Sequence, residues 1–312
     1  RVLDVCPAAN IYIVSSKQYY NLIREQLPDM HDDQILLEPN RRNTAPCIAY
    51  AAYKIRQKNP NAVMAVTPSD HIILKREVFS EKLLIALNKA EKENILITLG
   101  IKPSRPETGY GYIQFIHNDG ELKKVKTFTE KPEIELAKKF YESGEFVWNA
   151  GIFVWNINTI IEAFNIHLSE VSELFEDISD SYYTDQEKTK IGEVYAQCKN
   201  ISIDYGVMEK SEEVYVVLGD FGWSDLGSWS SLHEVRGKDV NENVIDANAL
   251  LYETKNSFIR SATPDKLIVV HGLDNFLISD SDDVLLICQK DLEKEFRKFV
   301  NDVKTSKGEK FV

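Results

Sequence analysis

The sequence predicts an α/β fold on a mainly parallel or mixed sheet, followed by a smaller β-rich domain and a terminal helix. Two observations predict it. Across residues 11–99, short β-rich runs alternate with amphipathic helical stretches, the rhythm of a parallel sheet with helices on both faces. After about Val235 the style changes: residues 244–288 hold short β-like runs separated by Asn, Asp, Ser and Gly, with no long helical pattern until residues 292–303. The expected domains are therefore 1–236 and 237–312. A chain of 312 residues with 43% hydrophobic content can bury a full core and is long for one compact domain, in keeping with a large domain plus a smaller piece.

The elements follow in order. Residues 11–14 read as a strand, and a helix opened by Ser16 puts Tyr20, Ile23 and Leu27 on one face. Residues 34–37 read as a second strand, and Thr44–Lys58 as a helix with Thr44 at its N-cap and Pro46 tolerated in its first turn. Residues 62–67 are expected as a buried strand and 78–92 as a helix burying Phe79, Leu83, Leu87 and Ala90, with a strand at 95–99. Beyond these, strands are expected at 112–115, 125–128, 151–155 and 214–218, and helices near 133–143, 168–177 and 184–197.

Composition excludes several functions. The net charge is −12 without a long basic run, which argues against a nucleic-acid partner. No run approaches the ~20 apolar residues of a membrane span. Cys6, Cys47, Cys198 and Cys288 lie far apart without CxxC pairing, so neither a disulfide framework nor a zinc site is expected, and a cytoplasmic setting fits best. His31, His117, His167, His233 and His271 read as surface or packing residues.

Asp70 and Asp225 each sit where a predicted strand breaks into a loop, the position at which open α/β sheets hold ligands. One or two carboxylates suffice for Mg²⁺, whose other positions water and phosphate fill. Asp70, in Pro68-Ser69-Asp70-His71, is equally an ordinary turn residue. Between the two aspartates, Glu130-Lys131-Pro132 pairs a carboxylate able to accept sugar hydroxyls with a point charge for phosphate, although a surface ion pair is the commoner fate. Asn149 adds an amide beside an apolar strand, and Gly111, in a polar glycine-containing loop, lets the backbone approach a ligand closely or simply turns. The segment from Glu38 through Arg42 and Asn43 to Pro46 feeds a helix N-terminus. Its backbone N–H groups could hold phosphate or a base edge, and Glu38 could accept two donors from guanine; a capped helix with surface arginines is the alternative.

The order of these motifs is informative. Glu-Pro-x-x-Arg-Asn-Thr-Ala-Pro, Pro-Ser-Asp-His, Pro-Glu-Thr-Gly-Tyr-Gly-Tyr, Phe-x-Glu-Lys-Pro, Trp-Asn-x-Gly-Ile-Phe, Ser-Ile-Asp-Tyr-Gly-Val-Met-Glu-Lys and Trp-x-Asp-x-Gly-Ser-Trp run in sequence from Glu38 to Trp229. Together they resemble the bacterial mannose-1-phosphate guanylyltransferases, or GDP-mannose pyrophosphorylases. The resemblance implies a Rossmann-like nucleotidyltransferase fold with a small β-helix-like C-terminal domain. It also implies GTP and mannose 1-phosphate as substrates, and GDP-mannose and pyrophosphate as products. The β-rich appendage with its terminal helix could pack on the first domain or mediate a homodimer. By the same resemblance Asp70 and Asp225 become Mg²⁺ ligands and Lys131 the partner of the sugar phosphate. Glu130, Asn149 and the Gly111 backbone would hold mannose hydroxyls, and Glu38, Arg42 and Asn43 the guanine. Asp204 is expected to order the site, and His71 to pack or orient its loop. A related transferase for another hexose 1-phosphate, or a silent sugar-nucleotide-binding paralogue, would share most motifs. The family's glycine-rich triphosphate loop is absent from the sequence. It is therefore expected ahead of Arg1, and the form is expected to be the short one, without a fused isomerase domain.

Overall fold

Residues 1–311 are described by a computed structural model, in which the chain forms two units. The first comprises Arg1–Ser69 and Ile73–Trp223, the second Asp70–Ile72 and everything from Ser224 onward. The strands up to this boundary are β1 (Ile13–Ser16), β2 (Ile35–Glu38), β3 (Val63–Val66), β4 (Ile72–Ile73), β5 (Leu96–Ile101), β6 (Tyr112–Phe115), β7 (Leu122–Thr129), β8 (Phe146–Asn156), β9 (Val214–Leu218) and β10 (Trp223–Ser224). The helices of the first unit are α1 (Tyr20–Gln26), α2 (Thr44–Lys58), α3 (Arg76–Ala90), α4 (Ile134–Ser143), α5 (Ile157–His167), α6 (Ser169–Glu176) and α7 (Glu187–Gln197).

Six strands form the main sheet in the order β3-β8-β5-β9-β7-β6, while β1 and β2 pair in parallel as a separate ribbon. Of the two expected arrangements, mainly parallel or mixed, the sheet takes the mixed one. Only β5 and β9 run parallel in the main sheet; β8 is antiparallel to β3, β5 and β6, and β7 is antiparallel to β9 and β6. The physical reason is β8, which inserts between β3 and β5, so two strands that alternate with helices in sequence never become neighbours. The sheet is mixed.

Successive residues of a strand point to opposite faces, and β8 is apolar on both. Phe153 and Trp155 face one way, packing with Tyr53 of α2, Phe164 of α5, Phe175 of α6 and Tyr195 of α7. Ala150, Ile152 and Val154 face the other, against Phe79, Leu83, Ala86 and Ala90 of α3. Helix α5 was not expected. Asn156 caps it by accepting a hydrogen bond from the Asn158 N–H at 2.9 Å, and Ile157, Ile160, Ile161 and Phe164 form its buried face, a helical spacing that continues directly out of a strand. At α2 the cap is Asn43, with φ +68°, and Thr44 is the first helical residue.

In the second unit, α8 (Trp229–Val235) is followed by β11 (Val244–Asp246), β12 (Asn248–Tyr252), β13 (Phe258–Ser261), β14 (Leu267–His271), β15 (Phe276–Ser281), β16 (Val284–Gln289) and α9 (Phe296–Lys307). Strands β11, β13 and β15 stack in parallel, β12 and β14 stack in parallel beside them, and β16 closes the stack antiparallel to β15. This is the β-helix-like arrangement. The unit begins earlier than the expected 236/237 boundary because Trp229 and Leu232 pack on its core of Val244, Phe258 and Leu277. Among the described residues no helix is long and apolar enough to cross a membrane.

One buried ion pair ties α7 to α2. Lys54 Nζ lies 2.7 and 2.9 Å from the Glu187 carboxylate oxygens, which also accept hydrogen bonds from the Tyr50 hydroxyl at 2.6 Å and the Tyr183 N–H at 2.7 Å. Glu187→Leu would leave Lys54 charged and unpaired at 5% exposure. Removing one partner of a buried pair costs about 3–5 kcal/mol, so the urea midpoint should fall accordingly. A change below about 1 kcal/mol would show that water reaches Lys54 in the native state.

Candidate active site

The polar centre of the first unit starts from an irregularity in the sheet. Thr98 of β5 faces Phe153 of β8, yet Gly100 faces Asn149, so β8 bulges between these pairs. Bulges re-aim side chains near ligand sites. Here the bulge turns Asn149 into a junction. Its Oδ1 accepts from Thr98 Oγ1 at 2.8 Å and from the Gly151 N–H at 3.1 Å, its Nδ2 donates to Asp204 Oδ1 at 2.9 Å, and its N–H donates to the Gly111 carbonyl at 2.8 Å. Asp204 opens a π-helical turn, Asp204–Met208, an irregularity frequent at functional sites.

Glu130 follows the end of β7. Its backbone N–H donates to Glu209 Oε1 at 2.8 Å, and its side chain, 9% exposed, packs against Gly111. A Cβ on Gly111 would stand 2.4 Å from Glu130 Oε2, so only glycine leaves room for that oxygen. Oε1 lies 3.3 Å from Lys131 Nζ, whereas Oε2 is buried without a hydrogen-bond partner among the described residues. Burial first, and repulsion from Asp204 second, push the Glu130 carboxyl up to about 7, with Lys131 partly offsetting them. Burial also raises the Asp204 carboxyl. Lys131 has φ +48°, unusual outside glycine, and its side chain is 58% exposed. A buried, open acceptor beside an exposed ammonium suits a ligand that carries both hydroxyl donors and a phosphate.

A second polar corner of the same unit gathers Glu38, Arg42 and Asn43. Glu38 ends β2, and its Oε1 accepts from the Tyr195 hydroxyl at 3.0 Å. Arg42 is directed elsewhere: Nε donates to the Tyr195 carbonyl at 3.0 Å and Nη2 to that of Ala196 at 3.3 Å, satisfying carbonyls in the last turn of α7. The start of α2 is also less open than its sequence suggests. Thr44 N–H donates to Asn43 Oδ1 at 2.9 Å, Ala45 N–H to the Ile201 carbonyl at 3.1 Å, and Pro46 has no N–H.

Asp70 and Asp225 belong to the second unit. Asp70 lies two residues before β4 and Asp225 directly after β10, and these short strands pair with each other. Asp70 is 81% exposed, with Oδ1 4.0 Å from His71 Nε2. The Asp225 carboxylate accepts from the Gly227 N–H at 3.1 Å, and a Cβ on Gly227 would meet Asp225 Oδ2 at 2.5 Å. Two hard oxygen donors on one ribbon match what Mg²⁺ takes from a protein, one or two carboxylates with water and phosphate completing the octahedron. The described residues hold no cluster of three or more such ligands, which that chemistry does not require.

Glu130, Lys131, Asn149 and Gly111 thus come together as one group. The sequence reading did not identify Thr98 and Glu209 as their supports, nor Tyr195 as the partner of Glu38. Spacing carries no signal for them, since each contact joins distant segments.

A family model described as nucleotidyl transferase matches residues 6–242. A mannose-1-phosphate guanylyltransferase of Escherichia coli is 32% identical over 97% of this chain and 67% of its own length. The alginate biosynthesis protein AlgA of Pseudomonas aeruginosa is 33% identical over 93% of this chain and 61% of its own. The chain therefore spans about two thirds of these curated relatives. The crystal structure described as a mannose-1-phosphate geranyltransferase from Thermus thermophilus matches with a TM-score of 0.85 at 30% identity, covering 97% of this chain and 87% of the other.

Burial of Glu130 has a consequence for stability. Its carboxyl is raised from 4.5 to about 7, so the native state holds more protons than the unfolded state in that window, and stability falls as pH rises through it. Glu130→Gln should therefore match the wild type near pH 4.5 and be more stable at pH 8, by at most about 3 kcal/mol. Thermal melts at both pH values measure this, and equal melting temperatures at pH 8 would mean that Glu130 is solvated.

Proposed function

The chain belongs to the nucleotidyl transferase family, and from that premise we propose that it joins GTP and mannose 1-phosphate to give GDP-mannose and pyrophosphate. The observation that carries the sugar side is the open buried oxygen of Glu130, held between Gly111 and Asn149 with the Lys131 ammonium beside it. Glu130 accepts hexose hydroxyls, the backbone at Gly111 approaches the ring, and Lys131 meets the phosphate. Asn149, its amide oxygen already engaged, offers its remaining N–H. The names of the relatives support mannose as the sugar and guanosine as the nucleoside.

In the reaction proposed, a phosphate oxygen of mannose 1-phosphate attacks the α-phosphorus of GTP in line. A new P–O bond forms there as the bond to the bridging oxygen breaks and pyrophosphate leaves with its electron pair. A phosphate dianion is already nucleophilic, so the chain need supply no nucleophile; positioning and charge neutralisation carry the step. Asp70 and Asp225 are the residues that would hold Mg²⁺, which when bound supplies charge neutralisation to phosphate oxygens. Glu38 reads guanine by accepting from its N–H donors, a pattern adenine does not present at that edge.

Three measurements test this reading on the full-length protein. A panel of hexose 1-phosphates and nucleoside triphosphates, read by pyrophosphate release, should favour mannose 1-phosphate with GTP; preference for another pair would overturn the substrate assignment. Asp225→Asn should cut turnover by two orders of magnitude or more while leaving the fold intact, because charge on the transferring phosphate goes uncompensated, and near-normal turnover at saturating Mg²⁺ removes Asp225 from the metal site. Glu38→Gln swaps an acceptor for a donor, a mismatch of about 1–3 kcal/mol that should shrink the GTP over ATP preference roughly tenfold or more. An unchanged ratio would assign guanine recognition to the backbone near Arg42 instead.

A further inference from the structure

Tyr195 lies in the last turn of α7 and is wholly buried, yet its hydroxyl donates at 3.0 Å to Glu38 Oε1, across 157 residues of sequence. Tyr50 and Phe175 flank its ring edge-on at 6.5 and 6.1 Å, so the ring cannot swing. The backbone of Tyr195 is held as well, since the Arg42 guanidinium donates to its carbonyl and to that of Ala196. The hydroxyl and the loop after Glu38 are thus locked to the same turn of α7. No second hydrogen bond orients the Glu38 carboxylate among the described residues. A base-reading carboxylate needs a set rotation, because it accepts from both N–H donors of guanine only when its two oxygens lie in line with that edge.

We infer that Tyr195 is a positioning residue for nucleotide selection, orienting Glu38 so that its free acceptor sites face the base. This rests on the proposed reading of Glu38. Tyr195 touches no substrate; it acts through Glu38. Its hydroxyl favours the ionised carboxylate that burial disfavours, and the positive charge of Arg41 acts in the same direction. The facing thiol of Cys47, itself held protonated by burial, leaves that charge unopposed. The role requires only the hydroxyl, so Phe at this position keeps the packing and removes the function.

The experiment compares wild type, Tyr195→Phe, Glu38→Gln and the double variant in the full-length protein. Catalytic efficiencies with GTP and ATP are measured at pH 7.5, and KM for GTP from pH 5.5 to 8. Tyr195→Phe is expected to lower the GTP to ATP ratio roughly tenfold, as loss of a hydrogen bond to a charged group does, with kcat for GTP within about twofold. Its KM for GTP should begin to rise at higher pH than in the wild type, because Glu38 loses a donor to its ionised form. The double variant should be no less selective than Glu38→Gln alone, since both act through one carboxylate. An unchanged ratio in Tyr195→Phe, or a double variant reduced by the product of the two single effects, would overturn the inference. Should Tyr195→Phe lose its native circular dichroism, Arg42→Gln, which frees the backbone of Tyr195 but keeps its hydroxyl, is expected to shift the same ratio, and no shift overturns the inference. Equal wild-type efficiencies for GTP and ATP would instead overturn the reading of Glu38 itself.

Discussion

The bulge of β8 opposite Thr98 and Gly100 is the constraint on which the polar centre depends. A regular strand of this burial would offer only apolar alternation, as residues 152–155 do. By slipping register at this point, β8 turns one amide, Asn149, into a hub for Thr98, Gly111 and Asp204. The hub needs rigid surroundings, and the strand supplies them by pairing with β3, β5 and β6 while carrying core side chains on both faces. Positioning to a fraction of an ångström follows from packing at crystal-like density rather than from any single bond.

Electrostatics explains how an acidic chain can handle anions. The net charge of −12 would repel phosphates at long range, but salt screens such fields beyond about 10 Å. Locally the balance differs. Glu130 sits where its ionisation is penalised, and the exposed ammonium of Lys131 stands next to it. Hydrogen bonds donated to Glu130 favour its ionised form, whose charge the neighbouring Lys131 ammonium offsets.

The helical layer contributes by a different route. Tyr50, Tyr53, Phe175, Tyr182 and Tyr195 form one aromatic cluster between α2, α6 and α7, and Glu187 gathers Lys54, Tyr50 and Tyr183 around one carboxylate. Each tyrosine brings apolar area together with a hydroxyl that must find a partner. The hydroxyls of Tyr53 and Tyr182 hold α6, that of Tyr50 holds the start of α7 through Glu187, and that of Tyr195 reaches the carboxylate of Glu38.

Periodicity is a local property, and what depends on it was legible in the sequence by itself: the bounds of Thr44–Lys58, Tyr112–Phe115 and Val214–Leu218, the strand-rich C-terminal unit, and helices on both faces of a sheet. The order of short motifs likewise singled out Gly111, Glu130, Lys131 and Asn149, which the structure gathers into one group. Tertiary structure alone decided the rest. Strand direction depends on which partner a strand meets, so the antiparallel insertion of β8 could not be read from an alternating pattern. Helix α5 was hidden because its apolar spacing runs straight out of β8. The diversion of Arg42 to the carbonyls of α7, the unpaired oxygen of Glu130 and the clamp of Tyr195 on Glu38 arise from contacts between distant segments. The energy of such a contact depends on distance and burial, and both exist only once the chain has folded.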